Sequence, residues 1–298
     1  MTFRFSPQDR SVQGGVRRIA REEASRARAR LQRDLDADPA AVHALRKSSK
    51  KLRGLLRLIR PVFAGARQEN AALRDVARQI AALRDAEVMR RTFETLADAL
   101  PKSTHQPLRA ALDVRRTGAA EPEALLAAVE ATRAELQALE ARCRGWKLKA
   151  REFEAIEPGL TDTWRRARKG HRRARRAFED AQLPAQPFHD WRKAVKQHWY
   201  QARLLEPIWP EMMAPHVAQA NILGELLGDH NDLDVLLTTL EADAANLPKR
   251  ALKPLRREVM SRRQALAREA VCLGGRLLAE SPESLADRWG RWWRLWRM

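Results

Sequence analysis

Two stretches of the sequence align without a gap at an offset of 146 residues: VHALRKSSKKLRGLLRLIRPVF (residues 42–63) and FHDWRKAVKQHWYQARLLEPIW (residues 188–209). Seven of the 22 aligned positions are identical: His43/His189, Arg46/Arg192, Lys47/Lys193, Lys50/Lys196, Arg57/Arg203, Leu58/Leu204 and Pro61/Pro207. Other positions are conservative, such as Ile59 and Leu205. An internal repeat of this kind predicts that one structural unit occurs twice in the chain.

The sequences on both sides of the repeat correspond as well. Two arginines lie at the same distance upstream of each copy: Arg26 and Arg30 in the first, Arg172 and Arg176 in the second. An acidic motif follows each copy, LRDAEV (83–88) and then HNDLDV (230–235). After a slip of one residue the carboxylates of these motifs pair: Asp85 with Asp232, and Glu87 with Asp234. The duplication therefore extends beyond the 22 aligned residues.

The residue usage favours helices, because Ala, Leu, Arg and Glu dominate and no stretch alternates apolar and polar residues as a strand does. Prolines or glycines mark breaks at 36–41, 61–66, 100–107, 117–123, 183–187 and 247–254. We therefore predict an all-α fold of two repeated antiparallel helical bundles around a central basic groove or pore. The first repeat is expected over 1–150 and the second over 151–298. The second includes the Trp-rich segment 289–298, whose indoles are expected to cap the core.

The first copy places its cations on one face of a helix. At 100° per residue a stripe forms from His43, Arg46, Lys50, Arg53, Arg57 and Arg60, with Lys47 at its edge. The stripe is roughly 25 Å long at 1.5 Å per residue. The opposite face is apolar: Leu45, Leu52, Leu55, Leu56 and Ile59. Between Val42 and Pro61 there is no acidic residue, and such like-charge repulsion is tolerable if an anion lies along the stripe.

The second copy carries a matching stripe, interrupted by Trp199 where the first copy has Arg53. Its cations are His189, Arg192, Lys193, Lys196 and Arg203, with Tyr200 beside them. Its opposite face consists of Trp191, Val195, Ala202 and Leu205. The helices at 16–30 and 164–176 add further cations: Arg26, Arg30, Arg168, Lys169, Arg172 and Arg176. We expect these residues to converge on one groove or pore.

The whole chain is strongly basic, with 57 Lys and Arg against 38 Asp and Glu and a net charge of +19. Such an excess opposes the compact state unless an anionic partner offsets it, and nucleic acid, an anionic membrane surface and a phosphate polymer are the candidates. At 44% hydrophobic residues the chain can bury a core, which excludes wholesale disorder. No apolar run approaches the ~20 residues of a membrane span. With no signal peptide and only two distant cysteines, Cys143 and Cys272, we expect a cytoplasmic protein.

Little in the sequence indicates catalysis or metal binding. His189, His198 and His230 do not form an H-x-x-x-H or H-E-x-x-H pattern, so no metal and no cofactor are expected. Neither a P-loop nor a Ser–His–Asp arrangement is found, and no carboxylate pair accompanies the two stripe histidines. The acidic motifs are instead expected to orient Arg, Lys or His side chains of the stripes, with N-caps or surface acids as the alternative: Asp85, Glu87, Asp232 and Asp234.

The two histidine motifs carry a resemblance to a known family. H-x-x-R-x-x-x-K-x-x-R, which begins at His43, and H-x-x-R-K-x-x-K, which begins at His189, resemble the paired repeats of the CHAD family, the conserved histidine α-helical domain. The acidic motifs are similar to that family's acidic signatures, and the resemblance covers roughly residues 12–297. It implies two helical bundles whose histidine helices line a basic cavity. It also implies binding of inorganic polyphosphate and association with polyphosphate granules, without enzyme activity.

Two departures from the family pattern concern the second repeat. Trp199 occupies a position where the motif could carry a basic residue, and Glu206 replaces the equivalent of Arg60. We therefore expect the second repeat to bind the anion more weakly. Some family members carry an acidic triphosphate-tunnel domain, and this sequence contains no such segment. Two other functions stay open at this level: a nucleic-acid-binding protein, and an enzyme that processes phosphate polymers.

Overall fold

The structure, a computed structural model, describes residues 3–33, 39–79, 82–117, 122–180, 183–244 and 247–298. Within these ranges it is all-helical and contains no strand, which confirms the all-α part of the predicted fold. The α-helices of these ranges are α1 (Val12–Arg33), α2 (Pro39–Ile59), α3 (Ala66–Gln79), α4 (Ala82–Ala97), α5 (Lys102–Thr117), α6 (Pro122–Arg142), α7 (Glu157–Glu179), α8 (Ala185–Leu205), α9 (Pro210–Ala242), α10 (Lys249–Leu277) and α11 (Pro282–Arg297).

The apolar faces predicted for α2 and α8 form the centre of the core. In α2 the five predicted residues are at most 3% exposed: Leu45, Leu52, Leu55, Leu56 and Ile59. In α8 the four predicted residues are at most 2% exposed: Trp191, Val195, Ala202 and Leu205. Full burial of one such side chain stabilises the fold by about 1.5–3 kcal/mol. This burial fixes the rotation of both helices and turns their cationic faces outward.

Two hydrophobic clusters organise the helices. The larger one joins α1, α2, α3, α6, α7 and α8 with the earlier part of α9, the later part of α10 and α11. The smaller one joins α4 and α5, through residues such as Phe93 and Leu108, to the end of α9 and the start of α10. Trp289 and Trp293 of α11 are buried in the larger cluster, which confirms that the Trp-rich segment caps the core.

Prolines interrupt the helices less than the sequence suggested. Pro107, Pro215 and Pro254 each occupy the sixth residue of a helix, in α5, α9 and α10. The predicted breaks at 100–107 and 247–254 were therefore too long. A proline at this position deprives only the carbonyl four residues earlier of its amide donor. That carbonyl belongs to the exposed second residue of the helix, where water can replace the donor.

Helices α2 and α8 contact each other at positions that the predicted repeat makes equivalent. Gly54 of α2 lies against Tyr200 of α8, 146 residues later, and a Cβ on Gly54 would be 2.8 Å from the Tyr200 Cβ. Burial at this crossing raises the pKa of Tyr200 to about 12. The division into repeats 1–150 and 151–298 falls in the segment between α6 and α7 and stays a prediction.

Candidate anion-binding site

The cationic stripe of α2 lies between α3 and α8. Arg53 Nε donates a hydrogen bond to Asn70 Oδ1 of α3 at 3.1 Å, and the adjacent Gly54 contacts α8. Arg46, Arg53 and Arg57 are partly buried, whereas Lys47, Lys50 and Arg60 are exposed. The side chains of His43 and Asp85 lie outside the described residues. The described part of the predicted first stripe therefore forms one solvent-facing row.

Positive charges crowd along this row. Burial lowers the pKa of Arg53, and the nearby guanidinium groups of Arg74 and Arg78 lower it further. Burial likewise lowers the pKa of Arg57, with Arg166 of α7 and Arg60 as the next causes. Each of these guanidinium groups is partly removed from water and repelled by its neighbours. An anion bound there would relieve both costs.

A buried carboxylate organises the cations on the other side of α2. Glu23 of α1 is 1% exposed and accepts hydrogen bonds from Lys51 Nζ at 2.9 Å, Ser48 Oγ at 2.7 Å and Arg26 Nη1 at 2.8 Å. Burial lowers the pKa of Lys51, and the hydrogen bond that Lys51 donates to Glu23 opposes that shift. Arg26 was predicted as a binding residue, and this contact places it beside α2.

Two glycines of α9 provide space for the cations of α8. A Cβ on Gly228 would lie 3.3 Å from Arg192 Nη2, and one on Gly224 would lie 2.8 Å from Lys196 Cδ. The glycines are four residues apart, as are the two cations, so both pairs stack along the helix contact. Lys196 Nζ also donates to Glu225 Oε1 at 2.6 Å. These contacts place Arg192 and Lys196 along α9.

Trp199 contributes to the cationic face of α8. Its ring centroid lies 4.7 Å from Lys196 Nζ and 5.0 Å from Arg203 Cζ. A cation over an indole face is attracted by the ring quadrupole. The residue that interrupts the sequence of basic residues therefore binds the cations before and after it.

His189 lies at the start of the second stripe and is oriented by α9. Its Nδ1 lies 2.6 Å from Asn231 Oδ1, and Asn231 Nδ2 donates to Asp232 Oδ1 at 3.3 Å. Because a carboxylate only accepts, the amide nitrogen faces Asp232 and the amide oxygen faces the ring, so His189 Nδ1 carries the hydrogen. Asp232 acts on His189 through Asn231 in this arrangement.

Carboxylates border the α8 stripe along α9. Burial raises the pKa of Asp229, and the like charges of Asp232 and Glu225 raise it further, while Arg91 and Arg192 oppose the shift. The cations of α8 thus have acidic neighbours on α9.

The other predicted residues are more dispersed. Arg168 donates to the Ala279 carbonyl at 3.4 Å, near the start of α11, and Asp234 pairs with the buried Arg263 of α10 at 2.9 Å. Lys193 pairs with Asp190 at 3.3 Å. The remaining members are exposed side chains: Arg30, Glu87, Lys169, Arg172 and Arg176. Asp234 therefore holds α9 to α10, and its partner is a residue outside the predicted set.

Several residues of the site were missed in the sequence. The glycines of LGELLGD, spaced by four residues ahead of the acidic motif, were a usable signal for close helix packing. Glu23, an acid inside the basic helix α1, was another. Lys51 and Arg166 had no such signal in the sequence. Their surroundings follow only from the packing of α1 and α7 against α2.

None of the helices in the described residues is long and apolar enough to cross a membrane. In the same part of the chain no three His, Cys, Asp or Glu residues lie together as a metal site requires.

Comparison with known proteins extends these observations. The sequence profile of the CHAD domain matches residues 18–241, three quarters of the chain. Among solved structures, PptA from Streptomyces chartreusis is similar, with a TM-score of 0.60 over 88% of this chain and 96% of that chain. Its sequence identity of 15% makes this a similarity of fold. No curated protein sequence matches the chain significantly.

Proposed function

The chain belongs to the CHAD family, and from this premise we propose that it binds inorganic polyphosphate along the cationic faces of α2 and α8, without catalysing a reaction. One observation carries the proposal. The two helices that carry the repeated H-x-x-R-K pattern, α2 and α8, contact each other at Gly54 and Tyr200. Their apolar faces are buried and their cationic faces point outward. Association with polyphosphate granules in the cytoplasm is part of the proposal.

The charged side chains of α2 and α8 lie close enough to affect one another. Arg203 of α8 is near enough to Lys51 of α2 to lower its pKa, and Arg26 of α1 does the same. Cations from both predicted repeats therefore lie within electrostatic range of one another. This supports a single basic groove between the repeats, which a long anion can follow from one stripe to the other.

Multivalency explains why a polymer is favoured over single phosphates. Arginine forms forked hydrogen bonds to non-bridging phosphate oxygens, and lysine supplies a point charge. Each such contact is weak in salt solution, but successive phosphates of one chain bind at high effective concentration. The described members of the stripes can each take one part of such a chain: Arg46, Lys47, Lys50, Arg53, Arg57, Arg192, Lys193, Lys196 and Arg203.

Nucleic acid is the main alternative ligand, because it also releases counterions on binding. Sequence-tolerant binding of single strands uses aromatic rings on which bases stack. Trp199 is the aromatic ring on the α8 face, and two cations of the protein already lie within 5.0 Å of its centroid. This arrangement favours a phosphate polymer without bases.

A competition experiment tests the proposal. Long-chain polyphosphate should displace bound RNA at physiological salt, at fewer phosphate equivalents than RNA needs to displace polyphosphate. The quadruple variant Arg46→Glu, Lys50→Glu, Arg192→Glu, Lys196→Glu should lose polyphosphate binding and keep its helicity. Shortening of the polymer during incubation with a divalent metal would contradict the non-catalytic part.

A matched control separates the site from bulk charge. Four exposed arginines of α10, a helix without stripe residues, allow the same change of net charge: Arg250, Arg262, Arg268 and Arg276. Their replacement by Glu should leave most of the polyphosphate affinity in place. Equal losses in both quadruple variants would show that net charge alone binds the polymer.

A further inference from the structure

A pocket of about 580 Å³ lies where the α2 stripe ends. The turn 61–64 closes it at the end of α2, and α3, the loop at Lys149 and the first half of α7 form its other walls. Its charged lining consists of Arg57, Arg60, Arg67, Lys149, Arg166 and Asp162. The volume is within the range of about 300–1,000 Å³ typical of small-molecule sites.

The charge in this pocket is not neutralised by the protein. Five cations face one carboxylate, and none of the five forms an ion pair within 4.0 Å with a carboxylate of the described residues. Asp162 is near enough to raise the pKa of Arg57, but burial, Arg166 and Arg60 lower it. Closely spaced guanidinium groups that carry no carboxylate partner suit a compact ligand with several negative charges.

Residues of both predicted repeats line this pocket, but three of its cations have no basic counterpart in the other repeat. At the offset of 146 residues Arg60 corresponds to Glu206, Arg67 to the buried Met213, and Arg166 to the buried Ala20. The two stripes share most of their cations, but the positions equivalent to these three pocket arginines hold an acid and two apolar side chains. The pocket is therefore an addition to one end of the groove.

We propose that this pocket binds the end of a phosphate chain, namely the terminal phosphates of linear polyphosphate or a short linear oligophosphate such as tripolyphosphate. The chain-end role rests on the proposed function, since the α2 stripe leads the polymer to Arg57. A terminal phosphate has a second ionisation near pH 6, as a phosphate monoester does, so at neutral pH it carries more charge than an internal one. The turn 61–64 follows the end of α2 and lines the pocket.

Calorimetric titration with tripolyphosphate and with long-chain polyphosphate tests this. Arg60→Glu and Arg67→Glu should each weaken tripolyphosphate binding about tenfold, as loss of a charge-assisted contact predicts. Their effect on long-chain polyphosphate should be within about threefold, because the stripes supply most of its contacts. Arg262→Glu, an exposed residue of α10 with the same charge change, should leave both affinities in place. Arg60→Gln and Arg67→Gln remove the charge without reversing it, and circular dichroism shows whether each variant is folded.

A second ligand pair isolates the chain end. Long-chain polyphosphate with both ends capped as phosphoramidates should bind the wild type and the Arg60→Glu variant alike, whereas the uncapped chain should bind the wild type better. If the wild type binds long chains but tripolyphosphate binding is absent or insensitive to Arg60 and Arg67, the pocket proposal is overturned and the polyphosphate function stands. If tripolyphosphate binds through these arginines and long chains bind no better per molecule, the pocket stands and the groove proposal fails.

Discussion

Individual cations in this protein are positioned by small or aromatic neighbours as much as by acids. Lys196 lies across Gly224, beside Glu225 and near the Trp199 ring, so three residues of different chemistry hold one ammonium group. Arg192 has the corresponding position at Gly228. At the residue scale, the position of these cations thus depends on the absence of a Cβ in the neighbouring glycines.

Replacing Gly224 by Ala should separate stability from binding. Alanine in the interior of α9 should raise the free energy of unfolding by about 0.5–1 kcal/mol. The new Cβ meets the flexible end of Lys196, which can move, so polyphosphate affinity should fall by about threefold to tenfold. Urea unfolding and a binding titration measure the two effects. Gly274→Ala is the contrast, because its Cβ would clash with the buried Trp191 ring and destabilise the fold.

Pairs of helices are joined by buried polar groups. Glu23 links α1 to α2 through Lys51 and Ser48. Two ring contacts link α8 to α9: Phe188 stacks on His230 at 4.3 Å between centroids, and His198 Nε2 lies 2.7 Å from His216 Nε2. At the element scale these contacts couple the placement of the stripes to the stability of the fold.

Glu23→Gln should destabilise the protein by about 2–3 kcal/mol, because it leaves the half-buried ammonium group of Lys51 without its carboxylate. Denaturant unfolding followed by circular dichroism measures the loss. Glu22→Gln is a matched control on the same helix. Its ion pair with Arg18 is partly exposed at 3.3 Å, so the change should be below about 0.5 kcal/mol.

The buried histidines should make the fold sensitive to mild acid. Burial lowers the pKa of His216 to about 4 and that of His230 to about 3. The unfolded chain, with histidine pKa values near ~6.5, takes up protons first as the pH falls. Stability present above pH ~6.5 is thus lost progressively toward pH 4, at about 1–2 kcal/mol per histidine between pH 6.5 and pH 5. His230→Phe should flatten this dependence, and an equally steep one would contradict the assignment.

On the scale of the whole molecule, the chain carries a net charge of +19. A ligand that neutralises these charges in the folded state should stabilise the fold by mass action. The crossing of α2 and α8 at Gly54 and Tyr200 is the point from which both stripes extend.

Long-chain polyphosphate should therefore raise the melting temperature, by about 5 °C at a hundredfold excess over its dissociation constant. Orthophosphate at the same total phosphate concentration should change it by less than about 1 °C, because single phosphates lack multivalency. Differential scanning fluorimetry compares the two. Added salt should reduce the polyphosphate effect, and an effect independent of both salt and chain length would argue against binding through many charged contacts.

The sequence by itself determined the helical class, the apolar faces of α2 and α8 and the cationic stripes opposite them. A helix that buries one face must place apolar residues with a period of 3.6, so these features can be recognised within the sequence of a single helix. The repeat and its family resemblance came from the same local pattern. The sequence did not predict the lengths of the helices that contain Pro107 and Pro254, because a proline near an exposed helix start is tolerated.

Only the tertiary structure decided which cations are neighbours. Lys51 meets Glu23, Arg57 meets Arg166, and Lys196 meets Gly224, and the two residues of each pair belong to different helices. Charge acts through space over several ångströms, so its balance depends on packing between helices that a single sequence does not encode position by position. For the same reason the pocket at the end of α2 became visible only when α3, α7 and Lys149 were brought together around it.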